Sequence, residues 1–325
     1  MDGQVTHSMG QKDLPDIKEI EDASRQIAGV VSRTPLVESI PLSRLTGKQV
    51  FLKLECFQPI KVFKIRGAYN KVSKAKERSV VAASSGNHGI AVAYSSRLLG
   101  KKCTIVVPET VVQEKVEAIE DYGAIVVKAG RFSEEREARA REIARAGDSA
   151  FIHPFNDRDV IAGQGTCGLE INQQLADFDA VLVPVGGGGL ISGVSIALKG
   201  TRASVRVFGV EPTVAPKLTA ALSAKKVVRI KPAGSVADGL IPSALGNLTY
   251  LACSKYIDGA LTVSEEEIMG ATRVMVNMAR IFAEPSGAAP LAPLLSKKKG
   301  LGDRVVLVVS GGNISKDVLR KVLVW

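Results

Sequence analysis

The stretch Ala180-Val181-Leu182-Val183-Pro184-Val185-Gly186-Gly187-Gly188-Gly189-Leu190 decides how this chain is read. Its first six residues are apolar throughout, as in a strand buried on both faces. Four glycines follow, and a helical pattern runs over 188–199. Strand, glycine loop and helix in that order make an anion site, because backbone N–H groups approach closely and the helix start adds its dipole. A tight structural turn is the bland alternative, and neither GxxxxGK[ST] nor GxGxxG with a placed acid is present. The same order recurs twice. Val80–Ala83 leads into Ser84-Ser85-Gly86-Asn87-His88-Gly89 and a helix over 90–99, and Arg304–Val309 ends in Ser310-Gly311-Gly312-Asn313. Read singly, the Ser84–Gly89 loop is equally an N-cap by Ser85 or Asn87. Read together, the three loops leave the carboxyl ends of parallel strands, which gather on one edge where ligands bind. Ser84, Gly186 and Ser310 are therefore expected to face one crevice.

Outward from these loops, short β-branched runs alternate with amphipathic stretches, which predicts an α/β fold with parallel layers. The clearest strands are Val50–Leu54, Cys103–Val107, Ala124–Val127, Ala180–Val185, Val205–Val210 and Arg304–Val309. Helices are expected near 64–77, 87–99, 112–121, 132–146, 158–176, 188–199, 264–281 and 315–323. A further helix is expected from Ile17 to Val31, with Ile17, Ile20, Ala23, Ile27 and Val30 on one face, behind a loose polar tail of about a dozen residues. The Ala233–Asn247 stretch is rich in Gly, Pro and Ser and reads as an irregular, functional connection. No tandem repeat or linker composition marks a boundary.

The 325 residues are 46% hydrophobic, enough for a large core in two modest domains or one large unit. The net charge is +10, with a pI near 9.4 and a mean hydropathy of +0.14. Basic residues are dispersed, the longest runs being Lys71–Arg78, Lys225-Lys226 and Lys297-Lys298-Lys299, and aromatics, at 5%, do not interleave with them. That argues against nucleic acid as a partner and suits a small anionic ligand. Cys56, Cys103, Cys167 and Cys253 are far apart and show no zinc or disulfide spacing. No signal-peptide pattern or membrane-length apolar run is visible, so a cytoplasmic protein is expected.

Lys64, in Phe63-Lys64-Ile65-Arg66-Gly67-Ala68, lies between apolar neighbours after a turn at Gln58-Pro59. By itself it is an ordinary helix-start lysine. Held in apolar surroundings, its amine becomes nucleophilic near neutral pH. An amine, an Asn amide, a phosphate cradle and a hydroxyl are the groups that pyridoxal phosphate uses.

With the motifs around Lys64, Ser84, Gly186 and Ser310, and with Glu284-Pro285-Ser286-Gly287, the sequence resembles the fold-type II pyridoxal-phosphate enzymes, in the branch of serine/threonine dehydratases and serine racemases. Arg33-Thr34-Pro35-Leu36, Ala162-Gly163-Gln164-Gly165-Thr166, Val210-Glu211-Pro212 and Ala237-Asp238-Gly239 add to the resemblance, which spans nearly the whole chain. It implies a tryptophan-synthase-β-like architecture of two domains, each a mostly parallel twisted sheet flanked by helices. The large domain would be residues 1–75 plus 153–325 and the small one 76–152, with no C-terminal regulatory domain. It implies Lys64 as the Schiff-base lysine with Phe63 beside the ring, Asn87 on the phenolic oxygen and Gly186, Gly187, Gly188, Gly189 and Leu190 on the phosphate. Ser310 would bond the pyridine nitrogen, with Glu284 a further cofactor neighbour. Ser84, Ser85, Gly86, Asn87 and His88 would hold the substrate carboxylate, Asp238 would lie at the rim, and Ser85 would be an opposite-face acid/base. The implied activity is β-elimination of threonine or serine to a 2-oxo acid and ammonia, in a homodimer or homotetramer. Alternatives are an amino-acid racemase, a hydroxyaspartate dehydratase or a non-catalytic pyridoxal-phosphate-binding protein.

Three departures from the family pattern stand out. Lys61 and Val62 replace the usual Gly-Ser or Gly-Ala, removing a glycine conformation. The new cation suits an acidic substrate or simply faces solvent. Racemase-like members hold a divalent cation with Glu211 and an Asp six positions on, where this chain has Lys217; an ammonium opposite Glu211 implies no metal of that type. The chain also ends at Trp325, soon after the Ser310 loop.

Overall fold

The computed structural model describes residues 10–323. The expected polar tail falls outside them up to residue 9; Gln11–Asp13 forms a single 3-10 turn. Among the described residues the strands are β1 (Leu36–Glu38), β2 (Gln49–Leu54), β3 (Ser79–Ala83), β4 (Lys102–Val107), β5 (Ile125–Lys128), β6 (Ala150–Phe151), β7 (Ala180–Pro184), β8 (Arg206–Pro212), β9 (Gly259–Val263) and β10 (Arg304–Val309). They form two sheets, ordered β1-β2-β10-β7-β8-β9 and β5-β4-β3-β6. Every pairing is parallel except β1 with β2. The architecture is the one the resemblance implied: two mostly parallel α/β sheets flanked by helices.

Alternation along the strands sorts the core of the larger sheet onto two faces. Leu52, Leu182, Val305, Leu307 and Val309 meet Ala271, Met275 and Leu291 on one side. Phe51, Val181, Val183, Val306 and Val308 meet Ile191, Val194 and Leu198 on the other. The apolar runs at 180–185 and 305–309 are buried on both faces, as their composition requires.

The helix Lys64–Lys74 lies between the sheets. Ile65, Ala68 and Val72 join the core of the smaller sheet. Its other side meets the helix Arg158–Gln174, where a Cβ on Gly163 would stand 2.6 Å from Gly67 Cα. Only two facing glycines allow that approach. Beneath it, Arg66 binds Glu55 (2.7 and 2.8 Å) and Glu170 (2.7 and 2.8 Å), and Lys53 reaches Glu170 at 2.5 Å, all buried.

The N-terminal helix is shorter than its apolar face suggested. It spans Ile17–Gln26, opened by an Asp16/Glu19 capping box and followed by Gly29 at φ +80°. Ile27 stays buried although it only caps the helix, so its periodicity reflects packing and not continued helix. The Ala233–Asn247 stretch is irregular apart from one 3-10 turn, Asp238–Leu240.

Candidate active site

Lys64 is the first residue of its helix, and the chain before it is stitched to the loop after β10. Lys61 N donates to Gln58 O at 2.7 Å, closing the expected turn, and Lys61 sits at φ +59°. This is the left-handed region, which costs a side-chain-bearing residue energy. Gly312 N donates to Lys61 O (2.8 Å), Val62 pairs with Gly311, and Phe63 N donates to Ser310 O (3.0 Å). These bonds bring Lys64 beside Ser310. The Lys64 ammonium donates to Pro154 O at 2.8 Å and lies 5.2 Å from the Phe63 ring centre. Burial lowers its pKa to about 8.

Ser310 is buried, and its hydroxyl has no side-chain or main-chain partner among the described residues. Asn87 Nδ2 donates to Glu284 Oε1 (2.8 Å), and Asn87 Oδ1 accepts from Asn313 Nδ2 (2.8 Å). One of the two Asn87 amide protons thus goes to Glu284 and the second is left for a ligand. Glu284 is pushed up to about 7, first by burial and then by the charge of Asp238, with the Asn87 bond opposing. Asp238 is exposed and pairs with Lys115 at 3.4 Å.

The loop after β7 is enclosed by neighbouring segments. A Cβ on Gly187 would lie 2.1 Å from the Phe155 ring, and Gly188 takes φ +93° as N-cap of the helix Gly189–Thr201. Thr249 Oγ1 donates to Gly187 O at 2.7 Å. Among the described residues the N–H groups of Gly186 to Leu190 reach no protein acceptor. A row of unsatisfied amides at a helix start is the environment a phosphate fits.

The loop after β3 behaves alike. Its helix, Asn87–Leu98, has Gly86 as N-cap with no side-chain cap bond, so neither Ser85 nor Asn87 caps it. Ser84 Oγ accepts from Gly86 N (3.3 Å), and the N–H groups of Ser85, Asn87, His88 and Gly89 take no protein acceptor among the described residues. The His88 ring turns inward to Ile152 O (3.0 Å), so only its backbone faces the crevice. Burial first, then the charge of Lys64, lowers His88 to about 3.

One segment of the site went unnoticed in the sequence: His153-Pro154-Phe155-Asn156, after β6. His153 Nδ1 accepts from Phe155 N (3.2 Å) and Asn156 N (2.8 Å). That turn aims Pro154 O at Lys64 and lays Phe155 on the glycine loop. Its sequence signal is slight, Pro154 and Asn156 close together with no apolar run of strand length before them.

The family model for "Pyridoxal-phosphate dependent enzyme" matches residues 27–311. The L-threonine ammonia-lyase of Thermotoga maritima is 40% identical over 311 residues, covering 94% of this chain and 78% of that protein. Among solved structures, maize serine racemase superposes with a TM-score of 0.90 at 34% identity, over 95% of this chain and 96% of its own. The processed form of threonine deaminase isoform 2 from Solanum lycopersicum superposes at 0.89 and 33% identity, over 94% of this chain and 86% of its own. A lysine amine held near neutrality, a cradle of free amides and a buried hydroxyl on adjoining loops are thus matched by similarity over almost the whole length, and the chain belongs to the pyridoxal-phosphate-dependent enzymes.

Proposed function

We propose that this chain is an L-threonine/L-serine ammonia-lyase, converting a β-hydroxy amino acid to a 2-oxo acid and ammonia. The observation that carries the reading is the buried, unpartnered Ser310 hydroxyl on the loop that Phe63 N joins just before Lys64. It is supported by 40% identity to a protein named L-threonine ammonia-lyase. Bound pyridoxal phosphate supplies an electrophilic carbonyl and an electron-accepting ring. Gly186 to Leu190 would hold its phosphate, Asn87 its phenolic oxygen, and Ser310 its ring nitrogen. A hydroxyl there, unlike a carboxylate, would not hold a proton on that nitrogen, so Ser310 would leave the bound group a weaker electron acceptor, which would suit β-elimination. The amides of Ser85 to Gly89 orient the substrate carboxylate. Lys64 Nζ, with its pKa lowered to about 8, is matched to taking the Cα proton near neutral pH.

A second reading, serine racemase, rests on Ser85. It is half-buried, precedes Gly86, and its hydroxyl takes no partner among the described residues. A third arm, hydroxyaspartate, rests on exposed Lys61 at the loop that joins Ser310. The test follows 2-oxo acid release and enantiomer ratio together, with L-threonine, L-serine, D-serine and threo-3-hydroxyaspartate. Rapid 2-oxobutanoate from L-threonine supports the lyase, and enantiomer exchange without 2-oxo acid supports the racemase. No change in any of the four would sink the reaction and leave the family intact.

The same reading takes residues 1–75 plus 153–325 as the large domain and 76–152 as the small one, in a cytoplasmic homodimer or homotetramer. Among the described residues no helix is long and apolar enough to cross a membrane. Sedimentation of the holoenzyme tests the oligomer.

A further inference from the structure

Lys217 is fully buried and touches none of the groups assigned above to chemistry. It opens the helix Lys217–Ala224. Its ammonium donates to Val185 O at 2.7 Å, Leu240 O at 2.8 Å and Ala215 O at 3.1 Å. Three acceptors use all three of its protons. Glu211, equally buried at the end of β8, brings a carboxylate oxygen to 3.5 Å. That carboxylate is fixed by Leu218 N, Thr219 N and Thr219 Oγ1, each at 2.8 Å. The ammonium therefore sits in a closed cage of oxygens. Burial lowers it to about 8 while Glu211 opposes the shift, so it is charged at neutral pH.

The cage joins distant parts of the chain. Val185 directly precedes Gly186, where the phosphate cradle begins. Leu240 closes the turn that carries Asp238 and Gly239. These two segments touch, since a Cβ on Gly186 would lie 2.5 Å from Gly239 O, and Gly239 N in turn donates to Ser286 Oγ at 3.2 Å. A buried charge is costly, and an apolar side chain of equal volume is often as stable. Here an apolar side chain would leave three carbonyls and a carboxylate converging with nothing between them.

We propose that Lys217 is a built-in cation that positions the phosphate-binding loop, holding Val185 against Leu240 so that the amides of Gly186 to Leu190 are aligned before an anion arrives. The proposal rests on the reading of that loop as the cofactor's phosphate site. The carbonyl shell, at 2.7–3.1 Å, has the radius of an ammonium or potassium ion. Mg²⁺ sits at about 2.0–2.1 Å from its oxygens and Ca²⁺ at about 2.3–2.6 Å.

The experiment compares wild type, K217M and K217A. It measures the pyridoxal-phosphate dissociation constant by absorbance of the bound cofactor, and the thermal midpoint with and without cofactor. Chelator is present throughout, with tetramethylammonium, potassium or magnesium chloride at equal ionic strength. Wild type is expected to be indifferent to the cation. K217M is expected to bind the cofactor about tenfold more weakly in every salt, a loss typical of leaving buried acceptors unpaired. K217A is expected to lose as much in tetramethylammonium and to recover affinity in potassium but not magnesium. A purely structural lysine would lower the cofactor-free midpoint and leave the dissociation constant unchanged, which would overturn the proposal. So would a wild type whose affinity rises with potassium or magnesium, or K217A recovery that is the same in every salt. If K217A does not fold, K217M decides alone: wild-type affinity refutes the proposal and the expected loss supports it. A wild type that binds no cofactor would instead refute the reading of the loop.

Discussion

Single residues carry the sharpest tests. On the proposed reading Lys64 is both attachment point and base, so K64A is expected to lower turnover by at least about 10²–10⁴-fold, the usual worth of a positioned base. With the amine at about 8, cofactor loading of the free protein should quicken as pH rises through that value, because only the neutral amine attacks. Stopped-flow absorbance at 6.5 to 9.5 checks it, and a rate flat across pH 8 would contradict the burial argument. His88 works oppositely. Its folded pKa of about 3 lies below the ordinary value of 6.5, so the unfolded chain binds the proton first. Stability is whole above pH 6.5 and drains away as pH falls toward 3. From pH 7 to pH 5 this one ring is expected to cost about 2 kcal/mol. Urea midpoints of wild type and H88Q at the two pH values would show whether the variant escapes that loss. Lys61 holds its left-handed backbone at a cost of about 1–2 kcal/mol, which glycine would remove while losing part of that gain to a looser unfolded chain. K61G should therefore gain about 0.5–1 kcal/mol in the same assay.

At the scale of elements, the glycine loop is the least tolerant piece. G187A drives a methyl into the Phe155 ring and is expected to cost about 1–3 kcal/mol as overpacking. Cofactor affinity should fall with it, and the double variant with F155A should recover part of the stability; an additive pair would mean the clash is not the cause. This loop was legible in advance because an apolar run, four glycines and a helix pattern are consecutive residues. So were β10 and the Ser310 loop, and the helices whose apolar face repeats without interruption. What stayed hidden was assembled from afar. The helix Lys217–Ala224 begins on Glu211, whose carboxylate takes Leu218 N and Thr219 N, so its cap lies on another element. The strand β9 is half-buried at a sheet edge and has no strong alternation. The helix Asn247–Tyr256 is pinned by Asn156 Oδ1 accepting from Leu248 N at 2.9 Å. The His153–Asn156 turn acts through a carbonyl and through shape, which a residue pattern does not spell out. Ser85 and Asn87 looked like caps because their residue types cap helices; here the free amides they would have covered stay exposed to a ligand.

Across the whole molecule, the buried ions under the Lys64 helix tie that helix to the end of β2 and to the helix Arg158–Gln174. Arg66 joins Glu55, just beyond β2, to Glu170 on the helix Arg158–Gln174. Burial raises the Glu55 carboxyl, but Arg66, with Lys53 and Thr34, outweighs it and lowers the pKa. R66M removes the shared cation and leaves both acids buried, and is expected to cost about 3–5 kcal/mol, read as a shifted urea midpoint with Lys64 still in place. A loss under about 1 kcal/mol would mean that water replaces the guanidinium.

The strand order has a consequence for how the protein comes into being. β10 lies between β2 and β7, its Arg304 opposite Gln49 and its Leu307 opposite Leu182. Until that late strand arrives, the larger sheet exists only as two separate pieces with bare inner edges, and the Ser310 hydroxyl and Asn313 amide have no place to stand. The smaller sheet draws on one continuous stretch and has no such wait. On the ribosome, the smaller sheet can therefore fold early while the larger one stays open, its unpaired edges in need of protection until β10 is released.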